Sequence, residues 1–259
     1  MGILNLTEDS FYDGAQYLHE EQIILKCKTM LDEGASIIDI GAQSSRPGAT
    51  QISSEEELQK LLHIIKLLKN TFDKITISID TFWANTAKEC IQAGANIIND
   101  ISAGEIDKNM FATIAQLNVP YVMMHMQGTP QNMQNNPSYK NITQDIIHYF
   151  KNNISKLHQL GFYKMVVDPG FGFGKTMEYN YQLLNNLEAF KCLELPILVG
   201  TSRKSMIYKL LDTTPQHALN GTSITNTIAL QNGANILRVH DVKEAIECVK
   251  ITTFAKNNC

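Results

Sequence analysis

The sequence lacks the features that would place it in a membrane or on a nucleic acid. None of its apolar runs approaches the roughly 20 residues that a membrane-spanning helix needs, and no signal peptide precedes the first predicted strand. Its 26 acidic residues outnumber its 22 basic ones, which gives a net charge of −4 and a pI of about 6.0. Because a nucleic-acid-binding face is normally basic, we expect neither a membrane nor a nucleic-acid partner.

The cysteines lack the spacing of a zinc site or of a disulfide framework. They are five in number, scattered along the chain, and without any CxxC pair. An odd, scattered set argues for free thiols in a reducing compartment. We therefore expect a cytoplasmic protein without a structural zinc ion.

Arginine is scarce as well. Of the 22 basic residues only Arg46, Arg203 and Arg238 are arginine, which leaves 19 lysines. A guanidinium grips a carboxylate or phosphate through two parallel hydrogen bonds, whereas lysine supplies a simple point charge. We infer that the three arginines mark contacts with anions.

A repeated unit is present along the chain. Gly34–Asp39, Gly94–Asn99 and Gly233–Arg238 share one pattern, and Gly161–Asp168 is a looser copy. Each starts with glycine where a helix should end, continues as a short apolar strand and ends on a polar residue, which is the αβ unit of a parallel sheet. Applied to the whole chain, the pattern predicts eight strands, at Gly2–Leu6, Ile37–Gly41, Ile75–Asp80, Ile97–Asp100, Tyr121–His125, Met165–Asp168, Ile197–Gly200 and Ile236–His240.

Helical patterns fall between these strands. They predict helices at Glu20–Glu33, Ser54–Asn70, Trp83–Ala93, Lys108–Gln116, Thr143–Leu160, Tyr179–Phe190, Pro215–Gln231 and Val242–Ala255. Ser54 and Glu57 are expected to form a capping box at the start of the second helix. Eight alternations favour an α/β fold of the closed (β/α)8 TIM-barrel type, and the lack of any linker-like stretch favours a single domain over residues 1–259. In such a barrel the functional residues lie where the strands end.

The stretch Met165–Thr176, MVVDPGFGFGKT, is the most informative one for function. Three apolar residues lead into Asp168, Pro169 and a glycine-rich loop. A short apolar run indicates a buried strand, and a buried carboxylate at its tip needs a partner. The glycines would let backbone approach a ligand closely, although a helix cap followed by a flexible loop is the alternative. The stretch also resembles the end of a Walker phosphate loop, but proline stands where that pattern requires glycine.

Four polar residues at or just beyond different strand ends combine two carboxylates, an amide and a cation. They are Asp80, Asn99, Asp168 and Lys204. Such a set suits a flat heterocycle, because a carboxylate accepts two parallel N–H bonds from an aminopyrimidine edge as it does from a guanidinium. Internal ion pairs that fix the top of the barrel are the alternative, and composition alone does not choose between them.

A second group suits a phosphate or diphosphate, and it consists of Asn5, Arg46, Arg238 and His240. His240 can donate a hydrogen bond or carry a charge near neutral pH, or it could instead pair with Asp241 or with backbone. Thr201–Ser205 is expected to open a helix whose first N–H groups would hold an anion. His125 lies in an apolar run and is interpreted as a core histidine.

Eight segments, in order along nearly the whole chain, resemble the successive signatures of the dihydropteroate synthase family. They are MGILNLTEDSFYDG, DIGAQSSRPGA, SIDT, NDISAG, MMHMQGTP, DPGFGFGK, GTSRKS and RVHDV. The resemblance implies a (β/α)8 barrel that condenses 6-hydroxymethyl-7,8-dihydropterin diphosphate with 4-aminobenzoate to 7,8-dihydropteroate and diphosphate, in folate biosynthesis. It also implies a requirement for Mg²⁺, competition by sulfonamides and a homodimer.

The resemblance also implies roles for individual residues. The pterin site would consist of Asp80, Asn99, Asp168 and Lys204, with Arg238 stacked on the ring. The diphosphate site would consist of Asn5, Arg46, Arg238 and His240, with Asn5 also contacting Mg²⁺. The 4-aminobenzoate site would consist of Ser45, Arg46, Pro47, Phe173 and Ser205. The catalytic residues among these would be Arg46, Lys204, Arg238 and His240.

Four positions depart from the family pattern. Glu8 and Ser45 replace the usual proline and threonine, and Ala42 and Gln43 stand where glycine and glutamate are common. All lie in or beside the two loops that cover the 4-aminobenzoate site, so we expect them to affect loop dynamics and sulfonamide affinity but not the reaction class. Two other functions stay open, a pterin-binding methyltetrahydrofolate methyltransferase and a non-catalytic pterin-binding paralogue.

The chemistry of the amine predicts the order of bond changes. An aryl amine is a weak nucleophile because its lone pair is shared with the ring, so catalysis should act on the electrophile. Cations that stabilise departing diphosphate are suited to that role. We expect SN1-like C–O cleavage before C–N bond formation, without a strong side-chain base.

Overall fold

The computed structural model describes residues 1–6, 16–43, 52–129, 131–133 and 136–258, and their backbone forms a ring of parallel strands. The strands are β1 (Gly2–Asn5), β2 (Ile38–Gly41), β3 (Ile77–Asp80), β4 (Ile97–Asp100), β5 (Tyr121–Met124), β6 (Met165–Asp168), β7 (Leu198–Val199) and β8 (Ile236–Leu237). The first six strands pair in chain order, and β7 pairs with β8. The last strand is shorter than predicted, so Arg238 and His240 lie beyond its end.

Backbone hydrogen bonds join these two sheets into a closed barrel. The amide of Val167 in β6 donates to the carbonyl of Pro196 just before β7, at 3.0 Å. On the other side, the amide of Ile3 in β1 donates to the carbonyl of Val239 just after β8, at 2.9 Å. Both bridges are parallel, which confirms the predicted (β/α)8 TIM barrel.

Helices connect successive strands on the outside of the barrel. They are α1 (Gln16–Asp32), α2 (Ser54–Thr71), α3 (Ala84–Gln92), α4 (Met110–Leu117), α5 (Ile142–Gln159), α6 (Met177–Asn185), α7 (Ser205–Tyr208), α8 (Leu219–Gln231) and α9 (Val242–Asn257). Two 3₁₀ helices accompany them, at Leu187–Leu193 and Pro215–His217. Within the described ranges, none of the helices has both the length and the apolar character needed to cross a membrane.

The repeated glycine ends the helix in each unit. Gly34, Gly94 and Gly233 have φ values of 105°, 111° and 106°. A β-carbon is strained in this left-handed region, so glycine is the residue that allows the chain to leave the helix and enter the next strand. This requirement explains why the repeat is visible in the sequence.

Two predicted helices each consist of two elements. The predicted helix Tyr179–Phe190 is α6 followed by a 3₁₀ helix. At the end of α6 the side-chain amide of Asn186 donates a hydrogen bond of 2.7 Å to the carbonyl of Gln182, in the last turn of the helix. The predicted helix Pro215–Gln231 begins as a separate 3₁₀ turn, and α8 starts only after it.

The predicted capping box is wrong. The residue that caps α2 is Ser53, whose Oγ accepts a hydrogen bond from the amide of Glu56 at 3.2 Å. Glu57 is fully buried and turns toward β3, where its Oε2 accepts a hydrogen bond of 2.6 Å from the Thr81 hydroxyl. Ser54 therefore has no reciprocal partner in Glu57.

Strand side chains alternate between the two faces of the barrel wall. Ile38 and Ile40 of β2 are fully buried in the main apolar cluster, which includes the inner faces of the helices. Asp39, which lies between them, therefore faces the barrel interior. In the register of the next two strands, Asp80 of β3 pairs with Asn99 of β4. Polar side chains therefore reach the mouth of the barrel from neighbouring strands.

Burial makes Glu57 an acid that resists ionisation. Its environment raises the pKa from 4.5 to about 7, chiefly through burial, while the hydrogen bond from Thr81 opposes the shift. Among the described residues no hydrogen-bond partner reaches its Oε1. Because the pKa in the folded state exceeds that in the unfolded chain, stability should fall as the pH rises from about 4.5 to about 7.

Replacing Glu57 by glutamine should remove this pH dependence. At pH 8 the free energy of unfolding of Glu57→Gln should exceed that of the wild type by up to about 3 kcal/mol, because each pKa unit corresponds to about 1.4 kcal/mol. Urea unfolding at pH 5 and pH 8 measures the difference, and Glu55→Gln, at an exposed position in the same helical turn, is the matched control. Equal destabilisation at both pH values would contradict this interpretation.

Candidate active site

The carboxyl ends of the strands bring five polar side chains to one mouth of the barrel. They are Asp39 of β2, Asp80 of β3, Asn99 of β4, Asp168 of β6 and Arg238, which follows β8. Because the strands are parallel, their ends lie on the same face of the barrel. Three of the four residues predicted for a heterocycle site, Asp80, Asn99 and Asp168, thus share this face with an arginine predicted for an anion site.

Arg238 is held by two carboxylates from neighbouring strands. Its Nε donates to Asp39 Oδ2 at 2.6 Å, and its Nη2 donates to Asp80 Oδ2 at 2.7 Å. Asp39 Oδ2 also accepts a hydrogen bond of 3.1 Å from the side-chain amide of Asn99. The guanidinium therefore links β8 to β2 and β3 across the barrel mouth.

Burial and crowding of like charges control the protonation of this group. Burial raises the pKa of Asp80, Arg238 opposes the shift, and the nearby carboxylates of Asp39, Asp100 and Asp168 add to it. Burial alone would lower the pKa of Arg238, but Asp39 and Asp80 raise it above its usual value. Arg238 is thus a permanent cation, and its charge stabilises the ionised form of the surrounding carboxylates.

The loop after β6 passes close to the end of β5. Gly170 has a φ of 73°, and a β-carbon there would lie 1.9 Å from the carbonyl oxygen of His125. Only glycine allows this approach. The amide of Gly170 donates to Asp168 Oδ1 at 2.8 Å, so the loop also supplies one of the partners that the buried carboxylate requires. Burial raises the pKa of Asp168, and Lys204 is the largest influence that opposes the shift.

Lys204 reaches the mouth from the turn between β7 and α7. Its ammonium donates to the carbonyl of Phe171 and lies 4.6 Å from the centre of the Phe173 ring. Burial lowers the pKa of Lys204 to about 8, and the charge of Asp168 opposes that shift. Gly172 leaves room for the lysine, because a β-carbon there would lie 3.2 Å from Lys204 Cδ.

His240 is a neutral hydrogen-bonding group in this structure. Its Nδ1 lies 3.1 Å from the hydroxyl of Ser202, and its amide donates to the same oxygen at 3.2 Å. Burial, together with the charge of Arg238, lowers its pKa from 6.5 to about 4. Of the two roles predicted for His240, these contacts and the lowered pKa favour hydrogen bonding over a charge near neutral pH.

Arg203 contacts protein anions rather than the barrel mouth. Its Nε and Nη2 donate to the two carboxylate oxygens of Asp241 at 2.8 and 2.7 Å, and its Nη1 donates to the carbonyls of Pro215 and Gln216 at 2.9 Å each. The prediction that the arginines contact anions thus holds for Arg203 and Arg238, but the three anions, Asp39, Asp80 and Asp241, are side chains of the protein. Arg46 lies outside the described residues.

The remaining predicted residues are distributed as follows. Asn5 is exposed at the end of β1, Phe173 is half-buried in the loop after β6, and Ser205 is half-buried at the start of α7. The helix predicted to open after Thr201–Ser205 is a single turn. Ser45, Pro47 and Glu8 lie outside the described residues, as Arg46 does.

Three buried charged residues near these strand ends belong to neither predicted ligand set. Asp39 lies in β2 and is fully buried. Asp100 is fully buried and accepts a hydrogen bond of 2.7 Å from the hydroxyl of Tyr121. Lys175 is buried beneath the glycine-rich loop. The only signal for Lys175 was its position in the DPGFGFGK segment, since nothing in composition distinguishes a buried lysine.

The interpretation of His125 as a core histidine is confirmed, because it is 7% exposed and contacts Lys175.

The described residues fit a magnesium ion only as a partner of a bound anion. No group of three or more histidine, cysteine, aspartate or glutamate side chains in the described ranges is arranged to hold a metal ion. Mg²⁺ commonly takes most of its ligands from water and substrate phosphates. The exposed side-chain amide of Asn5 could supply one oxygen ligand to an ion bound in that way.

A separate groove lies on the outer surface. It has a volume of about 530 Å³ and lies between α5 and the 3₁₀ helix Leu187–Leu193, where it is lined by residues such as Lys151, His158 and Cys192. None of the predicted functional residues that the structure describes lines this groove. The chemistry of the site therefore has to be sought at the strand ends.

Comparisons with known proteins agree on one family. Residues 1–240 match the family described as pterin binding enzyme. The chain is 41% identical to the dihydropteroate synthase of Escherichia coli K12 over 263 aligned positions, which cover 100% of this chain and 93% of that protein.

Solved structures give the same result. A Yersinia pestis dihydropteroate synthase in a sulfonamide drug complex has a TM-score of 0.92 and 41% identity, with 100% of this chain and 94% of that chain covered. A Clostridium difficile dihydropteroate synthase in the presence of pteroic acid has a TM-score of 0.91 and 40% identity, with coverage of 98% and 95%.

The protonation state of His240 can be measured directly. In a ¹³C- or ¹⁵N-edited NMR titration its imidazole signals should stay constant between about pH 8 and pH 6 and move with a midpoint near 4. The spectrum of His240→Asn provides the assignment. A midpoint near the ordinary value of 6.5 would show that burial does not hold the ring neutral.

Proposed function

The chain belongs to the dihydropteroate synthase family of pterin-binding enzymes, and from this we propose which groups at the mouth of its barrel bind and activate the two substrates. It is a transferase that joins 6-hydroxymethyl-7,8-dihydropterin diphosphate to 4-aminobenzoate and releases 7,8-dihydropteroate and diphosphate. In the proposed arrangement the pterin binds at the strand ends, the diphosphate binds beside Arg238, and the amine enters next to the loop after β6. Residues 1–259 form one pterin-binding barrel domain in this proposal.

One observation carries the assignment of the pterin site. Asp80 and Asp168 end different parallel strands, Asn99 is the last residue but one of a third, and the charge of Asp168 acts on Lys204. Two carboxylates can accept N–H bonds from an aminopyrimidine edge, while the amide and the ammonium can donate to the ring carbonyl and nitrogens. Arg238, which has a flat guanidinium at the same mouth, would stack on the ring.

We propose that pterin binding changes the contacts of Arg238. Asp80 Oδ2 is occupied by Arg238 at 2.7 Å, so a ligand N–H group that bonds to this oxygen would share or replace that contact. Asp39 is fully buried and keeps its own hydrogen bond to Arg238 Nε. Arg238 would therefore remain anchored at Nε while its Nη atoms turn to the ligand.

The proposed diphosphate site combines donors from the first, second and last units of the barrel. Its residues are Asn5, Arg46, Arg238 and His240. His240 would donate a hydrogen bond as a neutral imidazole, and a bound polyanion would raise its pKa. Arg46, Lys204, Arg238 and His240 form the catalytic set, because they contact the groups on which charge develops.

The proposed 4-aminobenzoate site adjoins the loop after β6. Its residues are Ser45, Arg46, Pro47, Phe173 and Ser205. Phe173 would pack against the aryl ring, while Ser205 would meet the carboxylate. A sulfonamide offers a similar ring, amine and acidic group, so we propose that sulfonamides compete with 4-aminobenzoate in this protein, in line with the drug complex of the Yersinia pestis relative.

The reaction is proposed to begin with loss of diphosphate. The C–O bond at the pterin methylene breaks, and its electron pair leaves with the diphosphate, whose developing charge Arg46, Arg238 and His240 stabilise. The pterin ring spreads the positive charge left on the methylene carbon, and the carboxylates of Asp80 and Asp168 favour that cation. The amine then forms the C–N bond and releases a proton to solvent or to the departing diphosphate.

Magnesium belongs to this proposal as a companion of the diphosphate. When bound, the ion supplies positive charge to the phosphate oxygens, and Asn5 is the described residue proposed to contact it. The protein groups act independently of that contribution, because Arg238 and Lys204 are already positioned at the strand ends.

We also propose a cytoplasmic homodimer. Cys27, Cys90, Cys192 and Cys248 are free thiols, which fits a reducing compartment. Ile224 on α8 and Ile251 and Phe254 on the neighbouring α9 are 52%, 69% and 73% exposed. Exposed large apolar side chains on adjacent helices are typical of a surface that a second copy covers.

The first test is an assay of dihydropteroate formation from the two substrates with Mg²⁺. The wild type should turn over, and Arg238→Lys should lower kcat/KM by about 100-fold or more, because lysine cannot replace a planar fork that stabilises developing charge. Arg203→Lys is the matched control. It changes a guanidinium that contacts Asp241 and two carbonyls. We therefore expect Arg203→Lys to lower the Tm and to leave kcat/KM much closer to the wild-type value than Arg238→Lys does. Absence of product with the wild type would refute the proposed function.

The second test concerns the order of bond changes. If C–O cleavage precedes C–N bond formation, diphosphate should be released from the pterin substrate, together with a hydrolysed pterin, when 4-aminobenzoate is left out. A coupled phosphate assay with inorganic pyrophosphatase measures this release. If diphosphate appears only when the amine is present, the dissociative order is wrong.

A further inference from the structure

Lys175 is a buried lysine that the proposed reaction does not use. It follows the glycine-rich loop after β6 and is 3% exposed. Its ammonium donates to the carbonyls of Gly170 at 2.8 Å and Phe173 at 2.9 Å. It also lies 3.2 Å from His125 Nδ1 and 3.3 Å from the His125 carbonyl.

These contacts account for all the hydrogens of the ammonium. Lysine has three donors and no acceptor, and two of them meet the loop carbonyls while the third faces His125. Burial, together with the charge of Lys175, lowers the pKa of His125 well below its usual value. Burial also lowers the pKa of Lys175 well below its usual value, and the charge of Asp168 opposes that shift. Every acceptor around the Lys175 nitrogen belongs to the protein.

The same loop presents groups to the barrel mouth. The carbonyl of Phe171 accepts the hydrogen bond of Lys204, and the ring of Phe173 lies against the Lys204 ammonium. The carbonyls of Gly170 and Phe173 thus turn to Lys175, whereas the carbonyl of Phe171 and the ring of Phe173 turn to Lys204.

Two further side chains fix the outer part of this segment. The hydroxyl of Tyr139 donates to the carbonyl of Gly174 at 2.8 Å, and Asn180 Oδ1 accepts from the amide of Gly172 at 2.7 Å. Neither of these joins the loop to the end of β5. Among the side chains described, Lys175 is the one that ties the loop carbonyls to His125.

We propose that Lys175 is a positioning residue for the second substrate, because its hydrogen bonds to the carbonyls of Gly170 and Phe173 fix the loop that carries the Phe173 ring. This inference rests on the proposed function, in which Phe173 contacts 4-aminobenzoate. Lys175 does not touch substrate, since its donors are all engaged below the loop. Three of the proposed pterin contacts, Asp80, Asn99 and Arg238, come from strands that Lys175 does not contact.

The test compares Lys175→Met with a matched control, Lys164→Met. Lys164 also donates to a carbonyl, that of Asn118 at 2.8 Å, but before the start of β6 at the other end of the barrel. In Lys175→Met the KM for 4-aminobenzoate should rise about 10- to 100-fold, because a displacement of about 1 Å in a substrate-positioning group can have such an effect. The Kd for the pterin diphosphate, measured by calorimetry, should change only a few-fold, and Lys164→Met should match the wild type in both.

Each outcome decides the matter. An unchanged KM for 4-aminobenzoate in folded Lys175→Met, or equal weakening of both substrates, would overturn the inference. If Lys175→Met does not fold, His125→Phe carries the test, since it removes one acceptor and keeps a ring: a rise in the same KM supports the inference, and no rise overturns it. Lack of product with the wild type would instead refute the proposed function.

Discussion

The bridge that Arg238 forms between Asp39 and Asp80 is the interaction on which the rest of the barrel mouth depends. Two carboxylates on adjacent strands, buried at the same end of a barrel, would repel each other and lose their hydration. The guanidinium between them offsets the repulsion and supplies hydrogen bonds in place of water. Its Nε lies 2.6 Å from Asp39 Oδ2 and its Nη2 lies 2.7 Å from Asp80 Oδ2. Lysine could not do the same, because the two contacts use different nitrogens of a planar group.

The rest of the mouth follows the same rule of internal compensation. Asp168 lies near Lys204 and accepts an amide hydrogen from the loop after β6, and Lys204 is directed by a loop carbonyl. Charges that will meet a ligand are therefore already oriented and partly desolvated in the free protein, which is the condition under which they stabilise developing charge most strongly. In this account a ligand replaces contacts that the charged groups already make with the protein. These groups therefore do not have to lose a full hydration shell when the ligand binds.

The barrel could be predicted from the sequence because its determinants are local. A glycine with φ above 100° ends several of the helices, and apolar strands with polar last residues follow them. The shared location of Asp80, Asn99 and Asp168 then follows from topology alone. The sequence is least informative where contacts are distant or depend on burial. Arg203 and Asp241 are 38 residues apart, and the neutral state of His240 depends on its burial and on Arg238. The role of Lys175 depends on a loop packing against another strand end, which no local pattern records.

The central claim is that the ion-paired mouth of the barrel is the pterin receptor, and a crystal structure with 6-hydroxymethyl-7,8-dihydropterin diphosphate tests it most directly. We expect the pterin ring within hydrogen-bond distance, about 3 Å, of Asp80, Asn99 and Asp168, with Arg238 still bonded to Asp39 through Nε but turned from Asp80 toward the ligand. A ring bound elsewhere, for example in the groove beside α5, with the bridge between Asp39, Arg238 and Asp80 unchanged, would contradict the claim.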